Sequence, residues 1–261
     1  MKIEMMEYLS NKISDVNIQK KVIEVLDGMN FLETKEIVNA LEECDFNEYA
    51  IDLVINENVL KTRTVEEQIR LIEVLKENDY NEDVYNIITS FYVLKNRITE
   101  EQIRLIEVLK ENDYNKDVYY AIIDLFLLKN RTVEEQIRLI EVLKENDYNE
   151  KVYYIITDPN VLENRTVEEQ IKLIEVLKNS DYNKNAYEII IDSEILKNRT
   201  MEDQIKMIEL LKMQKIYHDE NINNKLPLKD FKSYLKELKS KMGKDVDIKS
   251  DTMVKVYNPK E

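Results

Sequence analysis

Arginine and tyrosine offer most of the side-chain chemistry in this chain, and both stand in ladders. Arg63, Arg97, Arg131, Arg165 and Arg199 recur every 34 residues, accompanied by Lys61, Lys95, Lys129 and Lys197. Each arginine directly precedes a segment that reads as a helix start, where unpaired N–H groups carry partial positive charge, so the ladder could act as a rail for anions. The alternative is a lock. A planar guanidinium can donate to carbonyls or carboxylates of the neighbouring segment and fix one to the next, a use that suits an acidic chain. The tyrosines number 16, and many hold fixed places in the repeating pattern, as Tyr80 and Tyr85 do. Fixed rings of this kind are wedges between helices, because burial is their main stabilising use. Tyr120 and Tyr154 break the pattern and are candidate anchors for a protein partner.

Little else could do catalysis. Cys44 is the only cysteine and His218 the only histidine, which leaves no metal cluster and no internal disulfide, and no glycine-rich phosphate loop is present. The glutamate pairs Glu66-Glu67 and Glu100-Glu101 fall in a helical first turn, where the helix dipole accounts for them. No catalytic residue, metal site or cofactor is expected, and the chain reads as a non-enzyme.

Composition narrows the partners. Of 261 residues, 35% are charged and 43% apolar, with 2 glycines and 3 prolines. That balance permits a sizeable core, excludes collagen-like and linker sequences, and disfavours sandwiches and barrels with their glycine-bearing turns. The net charge of -15 repels a phosphate backbone and favours basic or mixed-charge proteins. Residues 214–261 hold 11 lysines against 8 acids, or +3, which leaves -18 on residues 1–213. The N-terminal MKIEMMEYLSNK has no signal-like apolar stretch, and no run approaches the roughly 18 apolar residues of a membrane span. A cytoplasmic protein without a membrane partner is the expectation.

The elements that position these residues come from internal repetition. EEQIRLIEVLKENDYN stands at 66–81, at 100–115 and at 134–149, and EEQIKLIEVLKNSDYN at 168–183. The units run Thr64–Arg97, Ile98–Arg131, Thr132–Arg165 and Thr166–Arg199 without gaps, preceded by a degenerate Asn30–Arg63 and followed by a decaying copy from Thr200. Within a unit, Thr64 and Glu67 form a capping box that starts one helix. Its wide apolar face, Ile69, Leu71, Ile72, Val74 and Leu75, must be covered from two sides. Asp79-Tyr80-Asn81 breaks it. Val84, Ile87 and Ile88 place a stripe on a second helix, which should stop near Thr89 and, in its sibling, near Thr157. Asn56, Ser90, Asp124, Asp158 and Asp192 then cap a short third turn, and Pro159 suits its first position. Such hairpins cannot bury their faces alone and must stack.

The expected fold is therefore an all-α, right-handed α-solenoid, a superhelix of stacked helix-pair repeats over 30–213 between capping helices. Residues 1–29 supply an N-terminal cap of two helices, ended by Gly28 as a left-handed C-cap. Residues 214–226 read as a linker. Residues 227–261 hold a last helix, opened by Pro227 and carrying Phe231, Leu235, Leu238 and Met242, and then a tail.

Over residues 30–213 the pattern resembles the α-solenoid tandem-repeat proteins, whose HEAT, armadillo and tetratricopeptide members stack helical hairpins into curved scaffolds. That resemblance implies partner binding on a concave face lined by the second helices. The opening Thr64, Glu67, Gln68 and Ile69 is also similar to DNA-reading repeats of transcription-activator-like effectors. Those choose a base through loop residues that vary between copies, whereas here Asp-Tyr-Asn recurs at 79–81, 113–115, 147–149 and 181–183, and an identical loop spells no sequence.

Variation between copies concentrates on the second helix. Glu82, Asp83 and Asn86 become Lys116, Asp117 and Tyr120, then Glu150, Lys151 and Tyr154, then Lys184, Asn185 and Glu188. These form a candidate recognition stripe, although exposed positions also drift because substitution there costs little. The functional expectation is a non-enzymatic scaffold that binds a basic or mixed-charge protein. A nucleic-acid mimic that occupies the basic channel of another protein is the alternative, and direct nucleic-acid binding along the Arg ladder, disfavoured by charge, comes after it.

Overall fold

The computed structural model describes the backbone of residues 2–224 and the side chains of residues 7–212. Among the described residues it contains eighteen α-helices and no strand. Two units meet at Ile208, the first spanning Met1–Ile208 and the second Glu209–Glu261. The first unit carries every helix described below in full except the last, which continues past Ile208.

Its chain begins with α1 (Lys2–Lys12) and α2 (Val16–Asp27) and then runs in triplets. The long first helices are α3 (Phe31–Glu43), α6 (Val65–Glu77), α9 (Thr99–Glu111), α12 (Val133–Glu145) and α15 (Val167–Lys178). The second helices are α4 (Glu48–Ile55), α7 (Glu82–Thr89), α10 (Lys116–Ile123), α13 (Glu150–Thr157) and α16 (Lys184–Ile191). The short third helices are α5 (Glu57–Thr62), α8 (Phe91–Asn96), α11 (Leu125–Asn130), α14 (Pro159–Asn164) and α17 (Ser193–Asn198), and α18 (Met201–Asn224) follows. The three-helix rhythm and the stops at Thr89 and Thr157 agree with the sequence reading.

Local chemistry sets the boundaries. Thr64 Oγ1 accepts from the Glu67 N–H at 3.3 Å while Glu67 Oε2 accepts from the Thr64 N–H at 2.8 Å, which satisfies two orphan donors at once. Asn81, Asn115, Asn149 and Asn183 cap the second helices through their side-chain oxygens. Between first and second helix the chain turns through two successive left-handed residues that are not glycine. Asp79 has φ 50° and Tyr80 φ 56°, and the same pair recurs at 113–114, 147–148 and 181–182. The turn is closed by the Tyr80 N–H donating to the Leu75 carbonyl at 2.9 Å, which satisfies a carbonyl the helix end leaves open.

Gly28, expected to be left-handed, has φ -76°. Only Met29 separates it from Asn30, the extended cap of α3, so the chain passes from one helix to the next without a left-handed residue. At the other end α18 is helical through Asn224, across most of the stretch expected to be a linker. The reason is in the sixth copy, where Gln214-Lys215-Ile216-Tyr217 replaces the Asn-Asp-Tyr-Asn of Asn78 to Asn81 and supplies no residue suited to a left-handed turn. The last expected helix, from Pro227, and the tail 244–261 lie outside the described residues.

Packing is between neighbours. First helices contact first helices (α3 with α6, α6 with α9, α9 with α12, α12 with α15), and third helices contact third helices from α5 to α17. Leu71, Ile72, Leu75, Val84, Ile87, Ile88 and Val93 are almost wholly buried, as are their counterparts in the next copy. This pattern of local helix-to-helix contact is consistent with an α-solenoid. No helix among the described residues is long and apolar enough to cross a membrane.

One unit departs from its siblings at its start. The later copies open Thr-Val or Thr-Met and the degenerate one Asn30-Phe31, whereas this one opens Ile98-Thr99. Ile98 is 60% exposed and Thr99 fully buried, its hydroxyl donating to Glu67 Oε1 at 2.7 Å. Only the Glu101 half of the capping box remains, with Oε2 accepting from the Ile98 N–H at 3.1 Å. Burial pushes the Glu67 carboxyl up, but hydrogen bonds from Thr64 and Thr99 outweigh it and hold Glu67 below the usual range.

Candidate functional site

Four arginines of the ladder, Arg63, Arg97, Arg131 and Arg165, donate to the backbone of the following unit. Arg63 donates through Nη2 to the Arg97 carbonyl at 2.7 Å and through Nη1 to the Leu94 carbonyl at 3.4 Å. Arg97 does the same to Arg131 and Leu128, Arg131 to Arg165 and Leu162, and Arg165 to Arg199 and Leu196. Each of these carbonyls lies at the end of a third helix, where no intrahelical donor remains. Burial pulls the Arg63, Arg97 and Arg131 guanidinium groups below their ordinary value, opposed by nearby glutamates. Side chains directed at protein carbonyls in this way tie consecutive units together.

A second member of this lock carried no role in the sequence reading. Gln102 Oε1 accepts from Arg63 Nη2, and Gln102 Nε2 donates to the Ile87 and Ile88 carbonyls at 2.9 and 3.1 Å. One amide thus joins three consecutive units. Gln136 repeats the arrangement with Arg97, Ala121 and Ile122, and Gln204 with Arg165, Ile189 and Ile190. The signal was legible, since Gln68 stands on the same helical stripe as Leu71, Ile72 and Leu75, and a polar residue there demands a buried partner. A further ladder links loops: Tyr114, Tyr148 and Tyr182 donate to the Oδ1 of Asn78, Asn112 and Asn146 at 2.8–2.9 Å.

The stripe of the second helices divides in two. Glu82, Lys116, Glu150, Lys184 and Glu188 are exposed, as are Tyr120 and Tyr154 at 51% and 46%. Asn86, Asp117, Lys151 and Asn185 are half-buried. Asp83 does not belong to an exposed stripe. It is buried, and both its carboxylate oxygens accept from Lys116 Nζ at 2.7 Å, which raises the Lys116 ammonium above its ordinary value. Asp83 and its counterparts Asp117, Lys151 and Asn185 sit at the second position of their helices, and at Asp83 it is Lys116 of the next copy that covers the carboxylate. Tyr120 and Tyr154 each lean on a half-buried neighbour, with ring centroids 5.3 Å from Tyr119 and 5.6 Å from Tyr153. A hydrogen bond to Glu150 raises the Tyr154 phenol. The helices that carry them, α10 and α13, pack on one another.

A groove between α3 and α6 is lined by Glu36, Glu43, Glu66, Glu73 and Arg70, with Ala40 at its floor. In the later copies Arg70, Arg104 and Arg138 each reach the glutamate 30 residues on, at 2.5–2.6 Å. Glu36 stands at the corresponding place in the degenerate copy, so the pairing is lost there and the groove is acidic. No group of three or more histidine, cysteine or acidic side chains among the described residues is arranged to hold a metal. No protein-family model, curated protein or solved structure matches the chain.

Proposed function

We propose that this chain is a non-enzymatic scaffold, a right-handed superhelical solenoid whose second helices line a concave face that binds a basic or mixed-charge protein. The observation that carries this reading is the pair Tyr120 and Tyr154, one unit apart on contacting helices, each exposed and backed by another tyrosine. Half-exposed aromatic rings held by a neighbour lose little freedom on binding, which is how anchors in protein interfaces act. Exposed Glu82, Glu150 and Glu188 and the charge of -18 over residues 1–213 supply attraction for a basic partner at short range. The test is pull-down with the full chain from its native cell, followed by calorimetry on the purified partner. Tyr120→Ala with Tyr154→Ala should weaken binding by about 2 kcal/mol or more with almost no change in melting temperature. If the double variant melts markedly earlier, the rings are wedges in the core and the reading fails. Displacement of the chain from its partner by added DNA or RNA would instead favour the nucleic-acid mimic, for which the acidity is the only support.

A further inference from the structure

A second surface, separate from the tyrosine stripe, lies on the third helices. At the two positions that open each of these helices the copies read Glu57-Asn58, Phe91-Tyr92, Leu125-Phe126, Pro159-Asn160 and Ser193-Glu194. Only the second and third copies are apolar at both positions, and the structure leaves three of the side chains exposed: Phe91 is 52%, Tyr92 48% and Phe126 42% exposed. Their helices, α8 and α11, contact one another. Two residues beyond α8 stands Ile98, the exposed isoleucine that replaces a capping threonine, with the threonine moved inside. The exchange gains the Thr99–Glu67 hydrogen bond, yet it gives up a side-chain helix cap and exposes a large apolar side chain. Departures from local rules are expected at functional surfaces, and this one opens the copy that carries Phe126, directly after the copy that carries Phe91 and Tyr92.

Charge identifies the occupant. Neither α8 nor α11 contains an acidic residue, while each contributes one exposed lysine, Lys95 and Lys129. Lys95 Nζ lies 6.0 Å from the centre of the Phe91 ring. On either side the acids return, Glu57 on α5, already paired with Lys61 at 2.9 Å, and Glu163 on α14 at the place of Lys129. A cationic, aromatic window is thus confined to two units of a strongly acidic protein. A basic segment would meet like charge, and a second copy docked face to face would set Lys95 and Lys129 against themselves. We propose that the ridge formed by Phe91, Tyr92, Ile98 and Phe126, flanked by Lys95 and Lys129, docks an acidic protein segment that carries apolar side chains. The scaffold then has two faces of opposite preference.

The test uses the full chain and short fluorescent peptides in which glutamate alternates with leucine and phenylalanine, beside matched peptides with lysine for glutamate or serine for the apolar residues. The wild-type chain should bind the acidic apolar peptides roughly tenfold or more tightly than either control, and Tyr92→Ser with Phe126→Ser should remove that preference. Lys95→Glu with Lys129→Glu should remove it too, with melting unchanged in both variants because all four side chains are exposed. Equal binding of acidic and basic peptides, or binding indifferent to both double variants, overturns the proposal. So does sedimentation that shows the ridge mediating self-association, or displacement of the peptides by anionic vesicles or single-stranded RNA in preference to unlabelled peptide.

Discussion

Arg131 joins its unit to the next by hydrogen bonds to the Leu162 and Arg165 carbonyls and to Gln170 Oε1. Truncation removes the donor and leaves partly buried acceptors without one, which costs more than the bond itself contributed. Arg131→Ala should therefore lower unfolding free energy by about 1–3 kcal/mol in urea titrations followed by helical circular dichroism. Arg131→Lys should recover only part, because a single ammonium cannot span acceptors that a planar fork reaches together. Binding through Tyr120 and Tyr154 should stay as it was. An Arg131→Ala variant as stable as the wild type would show that the ladder contributes nothing. At this scale the spacing of the arginines made a cross-unit role legible, but not the acceptor. Whether a guanidinium meets a carbonyl or a carboxylate depends on where the third helix ends in the next copy. Asp83 was misplaced for a related reason: its partner Lys116 comes from the following unit, and a helical projection of one segment has no view of it.

Helix boundaries are more local, and they were accordingly more legible. The Thr64–Glu67 box, the Asp158-Pro159 start and the stop at Thr89 all depend on residues within one turn. Backbone handedness was not legible, and here the structure inverts expectation, with the glycine right-handed and Asp-Tyr pairs left-handed. Opposite substitutions should then both stabilise. At Gly28 an added Cβ would stand 3.4 Å from the Val25 carbonyl, an ordinary contact, so Gly28→Ala should gain about 0.4–1 kcal/mol by restricting the unfolded chain. At Asp113, exposed and at φ 50°, Asp113→Gly should gain up to about 1 kcal/mol by relieving the left-handed strain. Thermal melts of the two single variants check this. If Gly28→Ala lowers the midpoint, the right-handed geometry at that turn is wrong. If Asp113→Gly lowers it, the aspartate side chain stabilises the left-handed turn by more than the strain it carries.

Among the described residues the buried contacts join consecutive units, since core residues such as Leu71, Leu105 and Leu139 recur and neighbouring first helices contact one another. In a stack of this kind, stability is close to a sum of unit and nearest-neighbour contributions, and an internal unit can be removed without breaking a distant contact. Deleting residues 98–131 joins Arg97 to Thr132, the same Arg-Thr junction found at 63–64 and 165–166. The hydrogen bonds can be remade in register, because Arg97 would then face the Leu162 and Arg165 carbonyls that Arg131 now serves. The shortened chain should fold with unchanged helicity per residue, and its urea dependence should fall in proportion to the surface lost. It should also lose the preference for acidic apolar peptides, since Ile98, Phe126 and Lys129 leave with the unit, whereas deleting 166–199, which leaves the ridge intact, should preserve it. A deletion variant that is unfolded, or that loses helicity well beyond its share of the chain, would mean that the copies are coupled over longer range than neighbour contact allows and that the stacked arrangement is not the unit of its stability.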